Sequence, residues 1–336
     1  MQTLTRRNFL NVVEGGYRPN AAATASWLHV NRTAMACRFE VTLPFQDQTG
    51  VLVATEALDQ IDRLEDQLSV FRETSEVSHL NRNAATAPLP VTESLFNLLA
   101  LCKRLHRETE GAFDITSGPL TRCWGFLKRE GRMPSEGEIE SARRLADSSL
   151  LVLDEQNQTV SFSKGAMEIN LGSIGKGYAL ERVAARLRAR GAIALLSAGA
   201  SSIVAIGEGD RHQGWSVGLR HPRDKSKRLV TLRLKDCALS TSGSEEQFFE
   251  VAGQRYGHII DPRSGWPARE VTSVSVITSS GAVSDALATA FFVGGRQLAE
   301  RYCAAHPDVM AIMLETESEN PIVIGNHPGA RIESVV

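Results

Sequence analysis

Residues 168–180 read EINLGSIGKGYAL. Apolar and polar residues alternate as far as Leu171, as in a strand with one buried face. Three glycines then fall within six residues, Gly172, Gly175 and Gly177, and a helical pattern follows at once. Glycine lets backbone approach a ligand closely. A helix that begins behind such a loop offers free N–H groups to phosphate. Lys176 adds a positive charge. The segment is not a Walker A loop, because Asn170 stands where that motif needs its first glycine and Gly177 where it needs Ser or Thr. It does not fit G-x-G-x-x-G either. A plain glycine-rich strand-to-helix turn has the same appearance, so the loop alone leaves both readings open.

Outward from this loop the chain alternates between helical and strand-like runs. Residues 51–68 predict an amphipathic helix, with Ala54, Leu58, Ile61 and Leu68 on one stripe and Glu56, Asp59, Asp62 and Asp66 off it. Thr92 can cap a helix that carries Leu95, Leu98, Leu99 and Leu105. Ser135 and Glu138 form a capping box for a helix through Leu145. Leu150–Leu153 and Thr159–Phe162 flank a polar turn and predict a hairpin. Tyr178–Arg190 is helical, with Gly191 as its stop. Strand-like runs lie at 37–43, 193–196, 203–206, 215–219, 229–234, 248–251 and 271–277. Ser240–Gly243 reads as a tight polar turn. Two late helices, near 285–293 and 297–306, precede a strand at 309–314. Strands outnumber helices and often follow one another, which favours an α+β fold with mostly antiparallel sheet and packed helices.

The chain has 336 residues, 42% of them hydrophobic and 23% charged, with a formal net charge of −2. That is long enough for a large core and ordinary for a soluble globular protein. No basic stripe exists beyond Arg220–Arg228, and that patch carries its own Asp224, so nucleic acid is not an expected partner. The five cysteines, Cys37, Cys102, Cys123, Cys237 and Cys303, show no C-x-x-C spacing. They argue against a disulfide framework and against a zinc site. No apolar stretch approaches the ~20 residues that span a bilayer. Residues 5–10, TRRNFL, look like a twin-arginine export motif. The following residues include Glu14 and Arg18 and lack the long apolar stretch of a signal. Residues 1–27 are expected to form a flexible tail ahead of one domain at 28–330, and the protein is expected in the cytoplasm, export being the alternative.

Three constellations carry possible chemistry. Asp285 and Thr289 are four residues apart, so on a helix they share one face. A carboxylate beside a hydroxyl suits a hard cation such as Mg²⁺; a helix cap and a buried Thr would have the same spacing. In Gly257–Pro262, GHIIDP, His258 can accept a proton near neutral pH, and Asp261 can organise the turn before Pro262. Trp124 and Phe71 could stack on a flat heterocycle or serve as core residues.

These segments together resemble the ApbE family of FAD:protein FMN transferases. The resemblance rests on the glycine loop and on GAFDITSGPLTRCWGF (111–126), STSGSEEQFFEVAGQRYGHIIDPRSGWP (240–267) and SDALATAFFVGG (284–295), in that order, with LSVFRETSEVSHLN (68–81) as a flavin-side segment. It covers roughly residues 28–325. It implies a T-fold-like core with a flavin cleft. It implies FAD as substrate, Mg²⁺ as cofactor, and an acceptor protein with a Ser or Thr hydroxyl that takes FMN while AMP leaves. By the same resemblance the metal would be held by Asp285, Thr289 and the carbonyls of Gly175 and Ala288. Met35, Phe71, Ala112, Phe113, Asp114, Trp124, Asn170, Gly172, Tyr178, His258 and Ile259 would contact FAD. Lys176, Asp285 and His258 would carry the chemistry.

The chain departs from the family pattern at three places. The family usually has Asp where this chain has Asn170, Met-Gly-Thr where it has Met35-Ala36-Cys37, and Gly-Gly where it has Gly199-Ala200. Asn170 can orient a ligand by hydrogen bonds but cannot act as a base. Two alternatives therefore stay open at this point: an FAD pyrophosphatase that uses water, and a non-catalytic FAD-binding protein.

Overall fold

A computed structural model of the chain describes residues 27–335, apart from 46–47, 210–212, 225 and 245–246. The TRRNFL segment lies outside the described residues, as does the expected tail except for Trp27, which already opens a strand. In chain order the strands are β1 Trp27–Ala34, β2 Cys37–Pro44, β3 Leu89–Pro90, β4 Leu151–Asp154, β5 Thr159–Phe162, β6 Ala194–Ala198, β7 Ser202–Ile206 and β8 Trp215–Arg220. They continue as β9 Arg228–Leu234, β10 Ala238–Gly243, β11 Phe248–Val251, β12 Gln254–Gly257, β13 Val271–Thr278, β14 Met310–Glu315, β15 Ile322–Gly325 and β16 Ala330–Val335. The helices are α1 Gln48–Leu68, α2 Glu76–Asn83, α3 Glu93–Glu108, α4 Gly118–Cys123, α5 Glu136–Arg143, α6 Gly175–Arg188 and α7 Gly281–Ala305. The fold is α+β.

Eight strands form one sheet in the order β1-β2-β6-β7-β10-β13-β14-β15, and every neighbouring pair is antiparallel. Helices α1, α6 and α7 cover one face of it. The strands β16-β9-β8 form a second, three-stranded antiparallel sheet that covers the other. Both faces are therefore apolar, and successive residues feed different cores. On β14, Ala311 and Met313 join the helix side, whereas Met310, Ile312 and Leu314 join the second sheet. Burial of one such side chain is worth roughly 1.5–3 kcal/mol.

The helices form where their caps and stripes place them. Ala54, Leu58, Ile61 and Leu68 of α1 are all buried. Thr92 Oγ1 accepts from Leu95 N–H at 3.4 Å and starts α3. The capping box of α5 is present, with Ser135 and Glu138 each bonded to the other's backbone. A third core, smaller and aromatic, gathers Leu120, Trp124, Phe126, Tyr256 and Ile260 with Phe249 and Trp266.

Three details differ from the sequence reading. Ser240–Gly243 is not a turn but the end of β10, paired with β13 along its whole length. Its small hydroxyl side chains hid a strand that pairs with β13 throughout and with β7 at Ser240. Helix α6 begins at Gly175, three residues before the expected start, so Gly175, Lys176 and Gly177 form its first turn. The two late helices meet end to end in α7, broken at Gly295, whose φ of 65° only glycine adopts easily.

Candidate active site

A cleft opens between the third core and the α6–α7–β10 side of the main core. Ala112, Asp114, Phe126 and the 258–262 segment form one wall. Asn170, Gly172, Lys176, Asp285, Thr289 and the β10 residues Thr241–Gly243 form the other. Segments far apart in sequence, including the glycine loop, GHIIDP and the Asp285/Thr289 pair, thus converge on one site.

Asp285 is held by close helix packing. Gly177 and Gly281 face each other where α6 meets α7. With no side chain between them, the backbone N–H of Gly177 reaches Asp285 Oδ2 at 2.9 Å. Ser202 Oγ donates to Asp285 Oδ1 at 3.3 Å. The carboxylate is nearly buried, yet it lines the cleft. Thr289, one turn further along α7, lines it too, and its hydroxyl lies 3.4 Å from that of Ser242.

The loop before α6 is shaped by Asn170. Its Oδ1 accepts from the N–H of Gly172 at 2.9 Å, an Asx turn. Its own N–H donates to the carbonyl of Ile115 at 2.7 Å, which joins the loop to the opposite wall. At the start of α6 the N–H of Gly175 bonds the Leu171 carbonyl and that of Gly177 bonds Asp285, while Lys176 lines the cleft at the positive end of the helix.

His258 enters from the other side. Its Nδ1 lies 3.1 Å from the carbonyl oxygen of Gln247, and its backbone N–H donates to the same oxygen at 3.0 Å. A ring nitrogen facing a carbonyl carries the proton, so Nε2 is the basic nitrogen of the neutral ring. Asp261 accepts from both the backbone and the guanidinium of Arg263, which fixes the turn before Pro262.

Asp114 is committed inward. Its carboxylate accepts from Thr116 N–H and Oγ1, and from Ser148 N–H and Oγ, at 2.6–2.9 Å. Its Oδ2 also lies 3.1 Å from His106 Nδ1. Burial opposes its charge, but the bonds and charge of His106 and the two hydroxyls outweigh it and hold the carboxyl below its usual range. For His106 burial likewise disfavours charge, and Asp114, the Phe113 carbonyl and Asp147 outweigh it, raising the imidazole's pKa. His106, Asp114 and Asp147 lie close enough to suggest a metal site. The donors already on Asp114, and the carbonyl facing His106 Nδ1, argue for an ion-pair lock on the 111–117 segment instead.

Several expected contacts are placed elsewhere. Trp124 is fully buried, donates from Nε1 to the Gly265 carbonyl at 2.9 Å and stacks on Tyr256. It supports the wall and offers no face to a ligand. Phe113 is a core residue. Phe71 is 74% exposed and does not line the cleft. Met35 sits in the β1–β2 turn, its N–H bonded to Glu65, away from the lining residues. Tyr178 is buried in α6, whereas Gly175 opens α6 next to the lining residue Lys176 and Ala288 precedes the lining residue Thr289 on α7. Ala112, Asp114, Asn170, Gly172, Lys176, His258, Ile259, Asp285 and Thr289 do meet at the cleft.

Sequence reasoning missed Ser201 and Ser202. Lys176 Nζ donates to Ser201 Oγ at 2.6 Å, and Ser202 bonds Asp285. The one signal was a run of small polar residues, Ala200-Ser201-Ser202, between two strands.

The sequence pattern of the ApbE family matches residues 35–314 of this chain. The chain belongs to the ApbE family. Among curated relatives, the FAD:protein FMN transferase of Klebsiella pneumoniae is 31% identical over 255 residues, 75% of this chain and 78% of the relative. That of Vibrio cholerae is 28% identical over 308 residues, 87% of this chain and 89% of the relative. Among solved structures, the ApbE protein of Thermotoga maritima superposes with a TM-score of 0.80 at 28% identity, covering 89% of this chain and 97% of that one. The flavin transferase ApbE of Vibrio cholerae gives 0.77 at 26% identity, with the same coverage.

Proposed function

We propose that this ApbE-family chain is an FAD:protein FMN transferase that moves FMN from FAD to a Ser or Thr hydroxyl of an acceptor protein in a Mg²⁺-dependent reaction. The observation that carries the reading is the meeting of Asp285 and Thr289 with the Gly172–Lys176 loop and His258 in one cleft. Two relatives bearing that activity in their names cover most of the chain.

The donor set fits the metal. Asp285 and the hydroxyls of Thr289 and Ser242 are all hard oxygens. Asp285 Oδ2 accepts from Gly177 N–H and Oδ1 from Ser202 Oγ, and a carboxylate oxygen can accept more than one such contact. Mg²⁺ bound there would neutralise pyrophosphate charge and leave the rest of its shell to phosphate and water.

The chain's own residues supply the remainder. Lys176, at the positive N-terminal end of α6, receives the pyrophosphate and the charge that builds on it. His258 Nε2 takes the proton of the attacking hydroxyl. The hydroxyl oxygen bonds to the phosphorus on the FMN side, the bond from that phosphorus to the bridging oxygen breaks, and AMP leaves with the bridging oxygen. Such transfers depend mostly on positioning and charge neutralisation.

The test is incubation with FAD and Mg²⁺, with and without an acceptor, while AMP and protein-bound flavin are followed. The proposal expects both to appear together and to need the acceptor. AMP release at the same rate without it would mark a pyrophosphatase, and tight FAD binding with no AMP a binding protein.

A further inference from the structure

Strands β11 and β12 form a two-stranded sheet of their own. Ala252 and Gly253 turn the chain between them with φ of 52° and 77°, the type I′ geometry. The pair that closes such a turn, Val251 and Gln254, is hydrogen-bonded, and hydrogen-bonded pairs then recur at every second residue. Phe249 and Tyr256 are the next such pair, and the bond from His258 N–H to the Gln247 carbonyl continues the series. The backbone N–H and C=O groups of Phe248 and Glu250 therefore point away from β12. Among the described residues no backbone hydrogen bond reaches them from another strand. They form an open strand edge.

The hairpin is anchored on its inner face. Phe249 and Tyr256 stack with ring centroids 5.4 Å apart and pack with Trp124 and Phe126 in the third core. On the outer face Phe248 is 38% exposed, with the Arg255 guanidinium 3.9 Å from its ring centre. The edge ends at the cleft. Gln247 directly precedes β11 and lines the cleft, and its Nε2 donates to the Phe126 carbonyl at 3.1 Å. His258, which the Gln247 carbonyl holds at its backbone N–H and at Nδ1, lines the cleft as well. A strand laid along this edge rises about 3.3 Å per residue. It comes level with Gln247 one residue beyond Phe248.

The geometry points to the open edge of β11 as the docking site of the acceptor polypeptide, which adds to it as an extended third strand and so brings a Ser or Thr hydroxyl to His258. This inference rests on the transferase reading. The occupant follows from where the edge leads: the reaction needs a polypeptide hydroxyl at His258, and this edge is backbone that ends there. In strand addition the main-chain bonds give affinity and side chains at alternate positions give specificity. Phe248 and Glu250 supply the main-chain groups, and the Phe248 ring favours an apolar neighbour on the acceptor.

The test is FMN transfer to short synthetic peptides, each with one central threonine, read as flavin fluorescence on the peptide. Glu250→Pro removes an outward N–H and leaves the bonds to β12 in place. It is expected to raise the peptide KM about 10-fold, with FAD affinity and kcat at saturating peptide close to wild-type. Glu250→Val, which keeps the N–H, should bind peptide at least as tightly as wild-type protein. A wild-type KM in Glu250→Pro, or an equal loss in Glu250→Val, would overturn the inference. A second measurement leaves the hairpin untouched. On wild-type protein, N-methylation of alternate peptide amides should block transfer in one register and spare it in the other, because an added strand bonds through every second residue. Equal effects in both registers would overturn the inference. A wild-type dimer that Glu250→Pro dissociates would assign the edge to a second copy of the chain and overturn it too. No flavin on any peptide, with or without AMP release, would instead overturn the transferase reading, and this inference with it.

Discussion

Gly177 and Gly281 touch backbone to backbone: a Cβ on Gly177 would lie 2.0 Å from the carbonyl oxygen of Gly281 and 2.7 Å from Asp285 Cβ. A Cβ on Gly281 would lie 2.4 Å from the carbonyl oxygen of Gly177. The contact links fold to chemistry, since the N–H of Gly177 is a bond that orients Asp285. Gly177→Ala must push α6 and α7 apart. A loss of about 1–3 kcal/mol in chemical denaturation is expected, with a fall in turnover larger than that loss explains at a temperature where the variant is folded. Full turnover in a folded Gly177→Ala protein would separate the packing from the chemistry.

The β1–β2 turn has two residues, Met35 and Ala36, with φ of 49° and 57°. Positive φ at both central residues is the type I′ hairpin geometry, in which glycine is favoured. The family's glycine at the second position therefore has a conformational reason, and Ala36 carries strain. Ala36→Gly should stabilise the protein by on the order of 0.5–1 kcal/mol, the relief of strain exceeding the entropy of a freer unfolded chain. Urea titration checks it, and a destabilised variant would mean that the turn is not strained.

His106 and Asp114 give stability a pH dependence. The pKa of His106 is raised above 6.5, so its contribution is full below that pH and is lost as pH rises through the folded value. The pKa of Asp114 is lowered below 3.8, so its contribution is present above that pH and is lost as pH falls through the folded value. The gap in melting temperature between wild-type and His106→Gln protein should therefore be widest in between, near pH 5–6, and shrink toward pH 9. A gap that stays constant over that range would show that His106 and Asp114 do not act as an ion pair.

Asn170 separates two roles in one side chain. The turn uses Oδ1, which accepts from Gly172, and a carboxylate oxygen can replace it. Asn170→Asp should thus leave stability within about 0.5 kcal/mol. The new charge lies in the cleft with Lys176, and AMP release is expected to rise as it fixes the loop and helps the hydroxyl proton. Weaker FAD binding with no gain in AMP release would show that the amide is suited to the pyrophosphate.

What could be seen in the sequence follows from how local each signal is. Helices α1, α3 and α5 declare themselves through stripes and caps, which are contacts within a few residues. Strand β10 did not, because Ser240–Gly243 carries the small polar residues of a turn and is a strand only through its partners β7 and β13. Asp285 and Thr289 were legible as an i,i+4 pair. The bond from Ser202 to Asp285 spans 83 residues, and no local pattern marks it. Trp124 shows the opposite failure: an indole can stack on a ligand or on Tyr256, and the sequence does not say which.

The most direct test of metal-assisted FMN transfer is Mg²⁺-dependent AMP release by Asp285→Ala. Asp285 is the one carboxylate that the glycine contact presents to the cleft beside Lys176 and Thr289. Loss of AMP release at every Mg²⁺ concentration is expected, with FAD affinity only moderately reduced. Turnover at the wild-type rate under limiting Mg²⁺ would mean that the metal and the chemistry lie elsewhere.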